Sequence, residues 1–181
     1  MVERLSVRTL FTLAYPGLSA DDQTRLEAFR RDHDPNCSVV RAHFTMVFGC
    51  NAVAEGAYLD HVRQVCRQGR PIQFTCRFAM LGADDEAERA YVFLVPDEGF
   101  SGIARLHAAL YRGVLRERLR LDLPYIPHIT LGASPDRASA KQWCDDLNES
   151  GLEIYGAINT LAVSTREHDT MRTISEFNLG A

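Results

Sequence analysis

Two stretches, Arg41-Ala42-His43-Phe44-Thr45-Met46-Val47 and Ile126-Pro127-His128-Ile129-Thr130-Leu131-Gly132, decide how this chain is read. Each sets a histidine two positions before a threonine within an apolar run. Successive side chains of a strand point to opposite faces, so His43 joins Thr45 and His128 joins Thr130 on one face of each strand. Phe44, Met46, Ile129 and Leu131 take the other face, the natural one to bury. The two histidines are 85 residues apart. A third His-x-Thr, His168-Asp169-Thr170, lies in a polar turn with no histidine-bearing counterpart in the first half. The pattern is cheap by chance, and context makes the first two a pair.

Outward from these strands, the order of elements repeats. Leu5, Val7, Thr9, Phe11 and Leu13 alternate with Arg4, Ser6, Arg8 and Thr12, which predicts a half-buried strand and not a secretory leader. Ser19 caps a helix that carries Asp21 and Asp22 in its first turn and has Pro35 beyond its end. A strand follows over about 39–48, then a helix marked by Leu59, Val62 and Cys66 that ends near Gly69. Ile72, Phe74, Cys76, Phe78 and Met80 alternate as a strand, and the acidic tip Asp84-Asp85-Glu86 turns it into another over 90–95. The second half gives a helix through Ile103, Leu106, Leu110 and Val114 to about Leu121, stopped by Pro124. It continues with a strand over 127–133, a helix from Ser134 or Asp136 to Glu149 ended by Gly151, a strand over 152–163 and a last strand over 171–179.

Written as a string, this is β followed by αβαββ twice, with units of roughly 19–95 and 99–179 in one bilobal domain over 1–181. Two such units about a pseudo-twofold axis leave a cleft between them, and residue types duplicated at equivalent positions face each other across it.

The composition agrees with one globular unit: 46% of the 181 residues are hydrophobic and 24% charged. No apolar run approaches the ~20 residues of a membrane helix. The net charge of −4 makes long duplex DNA an unsuitable partner. Five cysteines, none in a CxxC pair, suggest neither a disulfide framework nor a zinc site, and a reducing cytoplasm fits best. The arginines at 112, 116, 118 and 120 read most simply as a solvated face.

Two imidazoles on opposing walls can supply one base and one acid to a single reaction, because the ring titrates near neutrality. The hydroxyls of Thr45 and Thr130 add donors, and a tetrahedral phosphate with several acceptor oxygens is the natural guest. The reading is phosphodiester chemistry with no metal and no cofactor.

The two His-x-Thr strands, the run Pro-Tyr-x-Pro-His-x-Thr-Leu at Pro124 to Leu131 and the duplicated order resemble the 2H phosphoesterase superfamily, which includes 2′-5′ RNA ligases and cyclic nucleotide phosphodiesterases. The resemblance implies an α+β fold of two pseudo-symmetric αβαββ units, with antiparallel sheets flanking a water-filled cleft. It implies hydrolysis of 2′,3′-cyclic or related cyclic phosphodiesters of nucleotides or RNA ends, or reversible 2′-5′ joining. The catalytic histidines carry over to His43 and His128, and the phosphate-binding hydroxyls to Thr45 and Thr130. His128 is assigned as base and His43 as acid. Arg41, two positions before His43, is expected to supply phosphate charge, and Tyr125 to stack on a base or sugar. RNA ligase-like members often place an arginine shortly after the second motif, where this chain has Gly132, Ala133 and Ser134, a departure that weighs against a long RNA chain. The rival readings are a non-catalytic RNA or nucleotide binding module on the same fold and a metal-dependent phosphoesterase. The sequence leaves oligomeric state open.

Overall fold

A computed structural model of the chain describes residues 8–83 and 88–181, so Arg4 to Val7 of the first expected strand and the tip Asp84-Asp85-Glu86 lie outside the described residues. The elements are β1 (Leu10–Ala14), β2 (Gly17–Leu18), α1 (Ala20–His33), β3 (Phe44–Cys50), α2 (Glu55–Gln68), β4 (Ile72–Gly82) and β5 (Ala90–Glu98). The second half gives α3 (Phe100–Leu110), a 3₁₀ turn (Gly113–Arg118), β6 (Ile129–Ser134), α4 (Arg137–Glu149), β7 (Ile154–Ile158), β8 (Thr160–Glu167) and β9 (Thr170–Asn178). Local chemistry sets the helix ends. Ser19 accepts the Asp22 N–H at the start of α1, Asp136 accepts those of Ala138 and Ser139 at the start of α4, and Gly151, with φ +68°, follows α4.

The strands join one nine-stranded sheet in the order β2-β7-β4-β5-β6-β3-β1-β8-β9, and each pairing is antiparallel. The motif strands β3 and β6 sit at its centre and pair with each other. Outward from β3 come β1 and then β8; outward from β6 come β5 and then β4. Each half of the chain therefore sends its closing hairpin to the other side: β4 and β5 lie beyond β6, and β8 and β9 lie beyond β1. The α+β antiparallel reading holds, with the two flanking sheets realised as halves of a single curled one.

Two expected elements are broken by their own residues. The strand expected over 152–163 splits at Asn159 into β7, which pairs with β4, and β8, which pairs with β1, so this segment crosses from one end of the sheet to the other. The helix expected to reach Leu121 stops at Leu110, because Gly113 turns with φ +52° and the chain tightens into the 3₁₀ turn; Leu115 is buried there in place of the expected Val114, which is exposed. The first motif strand starts at Phe44, not near Val39, since Arg30 and Glu27 of α1 hold the Val40 carbonyl and the Ala42 N–H. Among the described residues the sheet reaches this segment through a single backbone bond, from the Met171 N–H to the Val39 carbonyl.

Helices α1 to α4 bury Leu26, Val62, Ile103, Leu110 and Cys144 with Phe44, Met46, Ile129 and Leu131 of the motif strands in one core. Both motif strands carry a register slip one residue after the threonine. Leu13 pairs with Thr45 but Thr12 with Val47, and Phe93 pairs with Thr130 but Val92 with Gly132, leaving Met46 and Leu131 as the extra residues. Such bulges re-aim side chains. Here the second turns Gly132 toward α1, where an added Cβ would meet the His33 Cβ at 3.0 Å. A long side chain at that position is excluded by the helix, which gives a packing reason for the departure noted after the second motif.

Candidate active site

The site begins with one pair in the ladder, Phe44 opposite Ile129. Both are fully buried toward the helices. In that antiparallel register His43 lies opposite Thr130 and Thr45 opposite His128, all four on the face away from the core. Directly opposed residues are about 5 Å apart and diagonal ones about 7–8 Å at Cα. The two imidazoles are thus diagonal neighbours flanked by two hydroxyls, within reach of one phosphorus centre.

Each ring is clamped in the same way. His43 Nδ1 bonds the Arg41 carbonyl at 2.8 Å, and His128 Nδ1 bonds the Ile126 carbonyl at 2.6 Å. A carbonyl only accepts, so Nδ1 carries the proton in both rings. In a neutral ring this makes Nε2 the basic atom. The Thr45 hydroxyl lies 3.3 Å from His43 Nε2 and donates to it.

The surroundings of the two rings differ. His43 sits half-buried beside Arg30 and Asp34, and its pKa is pushed down to about 4, first by burial and then by Arg30 and the neighbouring His128 ring, against opposing pulls from the Arg41 carbonyl and Asp34. His128 lies on the face of Phe93, with ring centroids 3.7 Å apart and planes 21° from parallel. Phe93 is itself held by a close approach, since a Cβ on Gly82 would come within 1.9 Å of its ring.

These four residues line a cavity of about 310 Å³, which has room for roughly one nucleotide. Its walls include Phe11, Phe48 and Tyr91, and it contains two arginines that the sequence reading missed, Arg30 and Arg166. Arg30 is 2% exposed and bonds Asp34 through Nε and Nη2, Glu27 through Nη1 and the Val40 carbonyl through Nη2. Glu27 also accepts the Ala42 N–H at 2.7 Å. This network fixes the loop that delivers His43. Its signal in the sequence was Glu27 three positions before Arg30 and Asp34 four positions after it, a spacing that looks like any solvated helix face. Arg166 of β8 is exposed at the rim, with Nε on the His168 carbonyl at 3.4 Å.

Two expected substrate contacts lie elsewhere. Arg41 is outside this cavity, with its guanidinium 4.2 Å over the Tyr15 ring. Tyr125 does not line it either: its hydroxyl donates to the Thr45 carbonyl at 3.1 Å, and its ring stacks on His107 at 3.4 Å and 4°. His107 Nδ1 in turn donates to the Met46 carbonyl at 3.0 Å. Both side chains serve carbonyls at the β3 bulge, so Tyr125 braces the first motif strand from behind. Among the described residues no group of three or more His, Cys, Asp and Glu is arranged to hold a metal ion, and no helix is long and apolar enough to cross a membrane.

The curled antiparallel sheet presents two His-x-Thr strands side by side at one cleft, the arrangement that the resemblance to the two-histidine phosphoesterases implied. The family model of the 2′-5′ RNA ligase superfamily matches residues 16–170, and the chain belongs to that family, the 2H phosphoesterases. Among solved structures it is similar to apo LigT of E. coli, at 18% identity and a TM-score of 0.58, covering 96% of this chain and 98% of that one. LigT of E. coli complexed with 3′-AMP gives 15%, 0.57, 97% and 100%. Usb1 of Kluyveromyces marxianus gives 10%, 0.55, 94% and 99%. At these identities the likeness is one of fold. No curated protein matches the chain by sequence.

Proposed function

We propose that the protein opens 2′,3′-cyclic or related cyclic phosphodiesters of nucleotides or RNA ends without a cofactor, and that reversible 2′-5′ joining of RNA ends is the related opening in which a 5′-hydroxyl takes the place of water. The observation that carries this reading is the Phe44–Ile129 register, which brings two Nε2 atoms and two hydroxyls to one floor. LigT has been crystallised with 3′-AMP, ATP, NADP+ and phosphate, and nucleotide phosphates are the ligand class this cavity suits.

His43 is disposed as the base, the reverse of the assignment made from sequence, because its surroundings keep it neutral with the lone pair on Nε2. It takes a proton from water as the water oxygen bonds phosphorus. The bond from phosphorus to one ribose oxygen breaks, and His128 gives its Nε2 proton to that oxygen. Charge building on the non-bridging oxygens is met by the hydroxyls of Thr45 and Thr130 and by Arg166 at the rim. A 5′-hydroxyl attacking in place of water keeps the same two roles, and microscopic reversibility exchanges them in cleavage of a 2′-5′ linkage back to the cyclic phosphate. The five cysteines are all unpaired, which supports a reducing compartment such as the cytoplasm.

The test is a panel of 2′,3′-cyclic nucleotides and 2′-5′-linked dinucleotides assayed with a chelator present, with phosphorus NMR showing which oxygen keeps the phosphate. Turnover that survives the chelator supports the reading. Binding without turnover overturns it in favour of a binding module, and activity lost to the chelator overturns it in favour of a metal enzyme.

A further inference from the structure

A second cavity, of about 370 Å³, opens beside the catalytic one and shares Val39, Val40 and Met171 with it as a common wall. Tyr15, Arg41 and Ser38 also line it, and no lining residue is acidic in a chain whose net charge is −4. Glu176, the acid that acts on Tyr15, is not part of the lining. The Arg41 guanidinium lies 4.2 Å over the Tyr15 ring, and that ring meets His43 edge-on at 6.1 Å. No ion pair ties Arg41 to a carboxylate among the described residues.

This arrangement has the parts of a nucleotide subsite. A guanidinium laid on an aromatic ring is a flat cation held in place before any ligand arrives, so less freedom is lost on binding. Arg41 is exposed, so the stacked guanidinium is open to solvent. Unstacked bases are received on aromatic and guanidinium planes, and a phosphate pairs with the guanidinium edge. The position of Tyr15 against His43 fixes how far this platform lies from the reacting phosphate: one side chain away.

We infer that the Tyr15–Arg41 platform binds the nucleotide that precedes a cyclic-phosphate terminus, so that the preferred substrate of the phosphodiesterase proposed above, on which this rests, is an oligonucleotide end and not a mononucleotide. The terminal nucleotide occupies the catalytic cavity, the linking phosphate meets Arg41, and the preceding base stacks on the platform. Arg41 then does carry phosphate charge, but for the neighbouring linkage and not for the one that reacts.

The experiment compares kcat/KM for adenosine 2′,3′-cyclic phosphate with that for the dinucleotide ApA ending in the same cyclic phosphate, in the wild type and in Arg41→Ala, Arg41→Lys and Tyr15→Leu. The dinucleotide should lead by at least about tenfold, chiefly through KM, and the lead should shrink as salt is raised. Arg41→Ala and Tyr15→Leu should bring the ratio to within about twofold of unity, and Arg41→Lys should keep only a minor part of it, because an ammonium does not stack. Equal kcat/KM for the two substrates in the wild type, or a ratio untouched by Arg41→Ala, overturns the subsite while leaving the hydrolase reading intact. Hydrolysis of neither substrate overturns that reading and the subsite with it.

Discussion

His43 and His128 are placed by the same local rule and then treated differently by their neighbours. Both precede a motif strand, both give Nδ1–H to the carbonyl two residues back, and both strands bulge one residue past the threonine. Across the sheet the register runs Phe93–Thr130–His43 on one side and Leu13–Thr45–His128 on the other. Leu13 and Phe93 are therefore equivalents, yet only the aromatic one has a face on which a histidine can stack. His128 is held by that ring, whereas His43 is held beside a buried ion-pair network. The comparison teaches that duplication supplies the geometry of an acid–base pair, while the division of labour comes from side chains that were not duplicated.

The bluntest way to break the comparison is to remove either ring. His43→Ala and His128→Ala should each lower kcat on a cyclic phosphodiester by about 10²- to 10⁴-fold while the folded circular dichroism spectrum is kept. A much smaller loss at one position would mean that the two sides are not partners in one step.

Next in size is the ion-pair network on the His43 side. Arg30→Met strips the guanidinium bonds from the buried Asp34 carboxylate, which keeps the Asn36 N–H, and from the Val40 carbonyl, which should cost about 3–5 kcal/mol in urea unfolding. The same variant removes a positive charge that opposes protonation of His43, so the ring should titrate higher than in the wild type. The ion pair in the loop before His128, Arg120 with Asp122, is largely open to solvent, and the asymmetry should be visible as a difference in stability between Arg30→Met and Phe93→Leu.

The pH dependence of stability sharpens the contrast. The folded pKa of His43 is lowered from 6.5 to about 4. Between those values the unfolded chain binds a proton that the folded chain refuses, so stability falls as the pH drops through that window and is fully kept above it. The contribution is on the order of 3 kcal/mol, and His43→Gln should abolish it in chemical denaturation curves taken at pH 4.5 and 7.5. A wild-type curve no steeper than that of the variant would place the ring in ordinary solvent.

The smallest expected effects come from making the two sides alike. Phe93→Leu copies the Leu13 side, removes the stack on His128 and should reduce kcat about three- to tenfold with little change in KM. Gly82→Ala should act by the same route, since its methyl displaces the Phe93 ring. The double variant should then be no worse than Phe93→Leu alone, a non-additivity that a double-mutant cycle reads directly.

The sequence disclosed the parts of this molecule that depend on spacing along one strand. Alternation about Phe44 and Ile129 was enough to put His43, Thr45, His128 and Thr130 on one face, and Ser19, Asp136 and Gly151 marked helix ends through chemistry within a few residues. What stayed hidden was non-local. Nothing along the chain shows that the segment at Asn159 changes ends of the sheet, because β7 and β8 read as one continuous run. Arg30 was passed over because burial of a helix arginine is decided by the loop packed on it. Tyr125 was assigned to the substrate because its role, capping a carbonyl at a bulge 80 positions earlier, exists only once β3 and the 124–128 segment meet.

The claim at the centre is that the His43 ring stays neutral, with its proton on Nδ1 and its basic nitrogen in the cleft. Nitrogen-15 NMR of the imidazoles, with His43 assigned by loss of its signals in His43→Gln, reads both protonation state and tautomer across pH 3.5–8. The account predicts an Nδ1–H tautomer that persists well below pH 6.5 and gains its second proton near pH 4. An Nε2–H tautomer, or a ring that is already protonated at pH 6.5, would contradict it.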